Sequence, residues 1–213
     1  MTVQEFFQRT QQQHVLDSED AHTFVSHTLS QGEEVLCGQL PQELIPSSQG
    51  FESWWDLHPE EHPEIMMHGK KVPIPRWQKA YGRDYRFSGQ VSPADELTEE
   101  MEALLEWANT HIFQGLNGVL LNWYDGAKGH YIGAHRDSIV GLTKGSPVVT
   151  ISFGERRVFR MRPYKGSGYE DFEVGHGDVL IIPWRTNMMY THEVPRKVSY
   201  HRRRVSVTLR AFS

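Results

Sequence analysis

Apolar positions along the chain change period near residue 118, from helical or irregular spacing to the short alternation of strands. Leu97, Met101, Leu104, Leu105, Ala108 and Ile112 recur at a 3.6-residue period, with Glu99, Glu100, Glu102 and Glu106 spread elsewhere around the cylinder. That spacing predicts a helix over Leu97 to Phe113, started near Pro93 and Asp95 and packed on a sheet. Thr2 to Gln13 and Ser18 to Leu29 also have helix-compatible composition, with Ser18 and Asp20 as candidate caps. Gly32 to Pro63 is turn-rich and acidic, which predicts irregular or short-strand structure. Within it, His58-Pro59-Glu60-Glu61-His62 resembles a helical metal pair, but Pro59 and Pro63 argue against a helix and place these residues on the surface.

Downstream, short apolar runs alternate with turns. Candidate strands are Val119–Trp123, Tyr131–His135, Pro147–Phe153, Arg157–Arg162, Asp171–Val174, Asp178–Ile182, Met189–Val194 and Val205–Phe212. Asp125-Gly126, Lys144-Gly145, Gly166-Ser167-Gly168 and Gly175-His176-Gly177 supply the breaks. Strands of this length after a helix-containing upstream part predict an α+β chain built on a jelly roll, the double-stranded β-helix. There is no repeat and no low-complexity tract.

Composition refines this picture. At 213 residues the chain suits one sizeable domain with an extension. It has no apolar run near the ~20 residues of a membrane-spanning helix, and its start lacks a secretory pattern. One cysteine, Cys37, excludes an internal disulfide and fits a reducing compartment. The expected setting is cytoplasmic, or nuclear in a eukaryote, and the expected state is a monomer. The net charge of −5 conceals a division: residues 1–64 carry twelve acids and one basic residue, whereas 65–213 carry fifteen acids and twenty-one basic residues. Residues 1–64 are thus an acidic extension packed on a core domain of 65–213. The basic portion could meet a polyanion, or the acidic one could simply coat an ordinary enzyme.

Chemistry concentrates in the strand-rich part. In an extended strand, the ends of His135-Arg136-Asp137 project to one face, presenting an imidazole beside a carboxylate. His192 from a distant strand can complete the cap. Two histidines and one carboxylate on one side of a metal leave positions open, as non-haem Fe(II) oxygenases require. A Zn²⁺ hydrolase could use the same three ligands. The last strand argues for the former: Arg204, Ser206, Thr208 and Arg210 share one face, and two inward arginines each need an anion. A dicarboxylate held by the metal at one end and a guanidinium fork at the other fits that need. Asn122 and Tyr124, two apart on a strand, could add hydrogen bonds.

The run Leu121-Asn122-Trp123-Tyr124, His135-Arg136-Asp137, His192 and Arg204-x-x-x-Thr208-x-Arg210 resembles the AlkB family of 2-oxoglutarate-dependent Fe(II) dioxygenases. Pro75-Arg76, Tyr81-Gly82 and Tyr85-Arg86-Phe87-Ser88-Gly89 are similar to the nucleotide-recognition segment of its nucleic-acid demethylase branch, here residues 65–92. The resemblance implies that His135, Asp137 and His192 hold Fe(II) and form the catalytic centre. It also implies that Asn122, Tyr124, Arg204, Thr208 and Arg210 contact 2-oxoglutarate, with Arg204 on the distal carboxylate and Arg210 nearer the metal. O₂ is the second cosubstrate, and the implied reaction hydroxylates an N-methyl carbon, releasing formaldehyde and the unmodified base. A flipped base needs flat walls, and the resemblance implies that Phe87 faces it, with Tyr85, Arg76 and Ser138 lining the pocket. Met67-His68-Gly69-Lys70-Lys71 falls where relatives carry a strand-probing or strand-contacting loop, which implies substrate contacts for His68 and Lys70, and the basic side chains of Lys70, Lys71, Lys79 and Arg83 could meet phosphates.

Two departures bear on the substrate. Relatives acting on methylated adenine or cytosine commonly carry an acid just past the His-x-Asp motif, where this chain has Ser138 and Ile139. His68 also replaces an apolar wedge. Single strands, RNA or another modified base remain open, and so does hydroxylation of a small molecule or protein side chain. A non-catalytic binding module is disfavoured by the complete ligand set.

Overall fold

Residues 24–67, 69–87 and 90–213 are described by the computed structural model. The strands are β1 (Val25–Thr28), β2 (Glu34–Gln39), β3 (Glu64–Met67), β4 (Lys70–Pro73), β5 (Trp77–Tyr81), β6 (Tyr85–Phe87), β7 (Gln90–Ser92) and β8 (Ala94–Asp95). They continue as β9 (Gly118–Asp125), β10 (Ile132–His135), β11 (Val148–Gly154), β12 (Arg157–Pro163), β13 (Glu170–Val174), β14 (Asp178–Ile182), β15 (Tyr190–Val194) and β16 (Arg203–Arg210). The helices are α1 (Ser48–Asp56), α2 (Glu99–His111) and α3 (Trp184–Met189).

Eight strands form one sheet in the order β1-β2-β14-β11-β16-β9-β5-β8, and four form a second, β10-β15-β12-β13. This is the expected jelly-roll core. Alternation along β16 shows how the core divides. Val205, Val207 and Leu209 point to a cluster that includes Trp54 and Trp55 of α1 and Met101, Leu104 and Trp107 of α2. Arg204, Ser206, Thr208 and Arg210 point the other way, the last three lining a cavity that faces the small sheet and Arg204 buried behind it. The central strands are buried along nearly their whole length because one face meets helices and the other meets the cavity. Trp123 Nε1 donates to Trp54 O at 2.8 Å, tying β9 to α1.

α2 occupies Glu99–His111, inside the predicted span. Its N-cap is Thr98, whose Oγ1 accepts from Met101 N at 3.4 Å, and not the Pro93–Asp95 region. Ala94 and Asp95 instead pair in parallel with β5. Three further differences lie upstream. Val25–Thr28 is a strand, not the end of a helix: it pairs with β2 around a turn containing Gly32 at φ +80°. The remainder of that candidate, 18–23, and the helix at Thr2 to Gln13 lie outside the described residues. α1 falls inside the supposedly irregular stretch, capped by Ser47 Oγ accepting from Gly50 N at 3.2 Å. His58 and His62 are half-buried rather than on the surface, their rings 4.5 and 4.8 Å from Trp77.

β2 hydrogen-bonds to β14, and α1 supplies core tryptophans, so the described part of residues 1–64 is stitched into the sheet and core. Within 65–92, β3–β4 and β6–β7 are separate hairpins flanking β5 of the large sheet.

Candidate metal and cosubstrate site

Antiparallel pairing of β10 with β15 sets His135 directly opposite His192, with ring centroids 4.3 Å apart. Asp137 follows two residues beyond the end of β10. Asn187 on α3 clamps it there: its Oδ1 accepts from Asp137 N and its Nδ2 donates to Asp137 O, both at 3.0 Å. Among the described residues, His135, Asp137 and His192 are the group able to hold a metal, with ligand atoms within 4.8 Å of one another.

Their hydrogen bonds orient them. His135 Nδ1 lies 2.9 Å from Gly133 O, which assigns the proton to Nδ1 and turns a bare Nε2 inward. Arg210 donates through Nε and Nη2 to Asp137 Oδ2, at 3.0 and 2.6 Å. Asp137 Oδ1 is left buried without a partner, 3.7 Å from His135 Nε2 and 3.8 Å from His192 Nε2. Burial alone would raise the Asp137 carboxyl, but the Arg210 cation outweighs it and holds the group well below the usual carboxylate range. Burial, followed by the neighbouring His135, pushes His192 down to about 3; desolvation likewise lowers His135. The result is an anionic carboxylate and two neutral imidazoles around one point, the protonation state a divalent metal demands.

The anion site beside it is equally specific. Arg204 is fully buried; its Nη2 donates to Ser152 Oγ at 2.8 Å, and its Cζ lies 5.2 Å from the Tyr124 ring centroid. Nε and Nη1 have no partner. Desolvation lowers the guanidinium to about 10. Of the two inward arginines, Arg210 therefore finds its anion within the chain, in Asp137, whereas Arg204 does not.

The three metal-type ligands, Asn122, Tyr124, Thr208 and Arg210 line one cavity of about 270 Å³, together with Arg76, Tyr85 and Ser138. Arg204 lies behind it, against Tyr124. Arg76 is buried, donating to Asn122 Oδ1 at 2.7 Å, and Tyr85 sits 4.8 Å from Arg210 Cζ. Ser138 is exposed at the rim. An open groove of about 390 Å³, which includes Arg83 and Asp84, shares Tyr85 and Ser138 with this cavity. Lys70 is not brought to the cavity; it is exposed at the start of β4. Lys71 pairs with Glu64 and Lys79 with Asp95. His68 and the side chain of Phe87 lie outside what is described. Gln78, Ser152, Phe159 and Asn187 also shape the site but were not anticipated. Gln78 shares a strand face with Arg76, a period-2 signal, whereas Asn187 carries no local signal.

The fold and this cradle define a non-haem iron oxygenase. A family model described as the 2OG-Fe(II) oxygenase superfamily matches residues 38–210, and the chain belongs to that family. Proteins named DNA oxidative demethylase ALKBH2 are similar to it at 30% identity: over 157 residues in Bos taurus (68% of this chain, 56% of that protein) and over 157 in Homo sapiens (68% and 60%). The chain spans about three fifths of the length of these relatives. A solved structure titled "The structure of OsALKBH1" superposes with a TM-score of 0.54 at 15% identity, covering 87% of this chain and 99% of that one, and so shares the fold.

Proposed function

We propose that this chain is an Fe(II)- and 2-oxoglutarate-dependent dioxygenase that oxidatively dealkylates N-alkylated bases of DNA or RNA. The observation that carries the reading is a pair of unmet demands, one in the cavity and one just behind its wall. Asp137 Oδ1 stands between two bare imidazole nitrogens, and the Arg204 guanidinium keeps two donors without partners. A divalent cation satisfies the first and a carboxylate the second, so the residues present fit both groups.

His135, Asp137 and His192 would hold the iron; Arg204, with Tyr124, Asn122 and Thr208, would hold the diacid. When bound, iron and 2-oxoglutarate supply the oxidation of a C–H bond by O₂, with succinate and CO₂ as co-products. Arg210 keeps Asp137 charged and fixes the direction of its free oxygen. Phe159 stacks on His192 with ring centroids 5.3 Å apart, and with Ile132, Val148 and Val194 it walls water from the site. Tyr85 and Arg76 line the side nearest the recognition hairpins, where a flipped base would enter. The name printed for the ALKBH2 relatives supports nucleic acid as the substrate.

The test is anaerobic loading with Fe(II) and 2-oxoglutarate, then addition of air and a panel of methylated oligonucleotides. Formaldehyde and succinate released in equal amounts support the proposal. Succinate driven instead by a small molecule or peptide, with every oligonucleotide inert, would replace it with a hydroxylase of those substrates.

A further inference from the structure

Besides His192 Nδ1, the roles assigned so far leave a buried amide donor on the cavity wall without an acceptor. Gln78 on β5 is 4% exposed, and register places it in a row with Asn122, Ser206 and Ser152 across the large sheet. Arg76 Nη2 donates to Gln78 Oε1 at 2.9 Å. That bond fixes the amide, since the oxygen must face the guanidinium and the NH₂ must turn away from it. Gln78 Nε2 is buried and has no partner. Arg76 beside it is a buried cation whose hydrogen bonds run to the neutral amide oxygens of Gln78 and Asn122.

Among the described residues, no free carboxylate on the cavity wall offsets these donors. Among the described residues lining it, Asp137 is the one carboxylate, and its oxygens face Arg210 and the two imidazoles. Just past it, Ser138 Oγ accepts from Val140 N at 3.3 Å and brings no charge. Among the described residues the wall therefore offers hydrogens and positive charge, and lacks a free anion to match a cationic ligand.

We propose that Gln78 and Arg76 read a carbonyl oxygen of the substrate base. The preferred substrates are then uncharged N-methyl lactams, of the 3-methylthymine, 3-methyluracil or 1-methylguanine type. This rests on the base-dealkylase reading and narrows it. In a lactam the methylated nitrogen is flanked by a carbonyl acceptor on a neutral ring. At the ring position where these lactams carry O4 or O6, 1-methyladenine and 3-methylcytosine carry an exocyclic amine, N6 or N4, on a ring that is cationic at neutral pH. A donor would there face a donor, beside a guanidinium, and both mismatches count against binding.

The test uses the Fe(II)-loaded full chain with 2-oxoglutarate and four oligonucleotides of one sequence, carrying 3-methylthymine, 1-methylguanine, 1-methyladenine or 3-methylcytosine. Demethylation is read by mass spectrometry and anaerobic binding by fluorescence anisotropy. The lactam oligonucleotides are expected to exceed the cationic pair by about 10-fold or more in kcat/KM and in affinity. Gln78→Glu keeps a partner for Arg76 but turns the free donor into an acceptor, so the preference should narrow or invert. Gln78→Met, which offers neither, should lower lactam affinity alone; 2-oxoglutarate affinity measured by calorimetry reports whether either variant has kept its site. A wild-type preference for the cationic pair, or none, overturns the inference while leaving base dealkylation standing. An unchanged ratio in a folded Gln78→Glu also overturns it. Inertness toward all four, with a non-nucleic substrate turned over, overturns the function itself and this inference with it.

Discussion

Replacing Arg204 with methionine should make the ligand-free protein more stable while abolishing its response to 2-oxoglutarate. The guanidinium is fully buried, with two donors unmet, and its pKa falls from 12.5 to about 10. That drop corresponds to roughly 3 kcal/mol disfavouring the charged form in the folded state. The sign follows from a base whose folded pKa is depressed: the deficit is fully present below pH about 10. Methionine fills similar volume without the charge, and leaves Ser152 Oγ short of one donor, a loss of about 1 kcal/mol. A net gain of ~1–2 kcal/mol should raise the melting temperature by ~2–8 °C for a chain of this size. Differential scanning calorimetry of the apoprotein measures it, repeated with millimolar 2-oxoglutarate. Wild type should gain stability with ligand through mass action, and Arg204→Met should not. An apo variant melting several degrees below wild type would mean the guanidinium already has an internal counterpart. A retained ligand-dependent shift would place the diacid elsewhere.

Other substitutions separate folding from chemistry. Asp137→Ala and His135→Ala should both stop succinate formation, but Asp137→Ala should also cost about 3–5 kcal/mol by stranding buried Arg210; equal urea midpoints for the two would contradict that pairing. Asn187→Ala frees the Asp137 backbone and should weaken Mn(II) binding by about 10–100-fold in calorimetry, an unchanged affinity showing that the clamp is dispensable. His130 is pushed down to about 4, chiefly by burial and then by His62. Its unfolded form protonates first as pH falls, so stability should drop between about pH 6.5 and 4, by at most about 1.4 kcal/mol per unit. His130→Gln should flatten that slope in urea titrations at pH 7, 6 and 5.

Strands and the long helix were readable where one physical rule dominated. Alternation along Arg204 to Arg210 sorted inward polar from outward apolar residues, and the Leu97–Ile112 stripe marked α2. α1 was hidden because Gly50 and nearby prolines read as breakers, while its stability comes from Trp54 and Trp55 entering a core built from distant strands. β1 was misread as helix because composition cannot register its pairing with β2. The ligand triad was legible through spacing and resemblance together. The division of labour between Arg204 and Arg210 was not, since it depends on Asp137 reaching across to β16. Gln78 was passed over because its meaning lies in a neighbour, Arg76, that fixes which way its amide turns.

Cross-strand placement of His135 opposite His192 has a consequence for the life of the protein. Neither histidine can meet the other until β10 and β15 have zipped together, and Asp137 takes its place only with α3 docked. A nascent chain still on the ribosome before Val194 therefore offers incoming metal no three-sided cradle. The three-sided cradle is complete only with the small sheet closed and α3 docked, so metal affinity and the folding of this sheet are coupled.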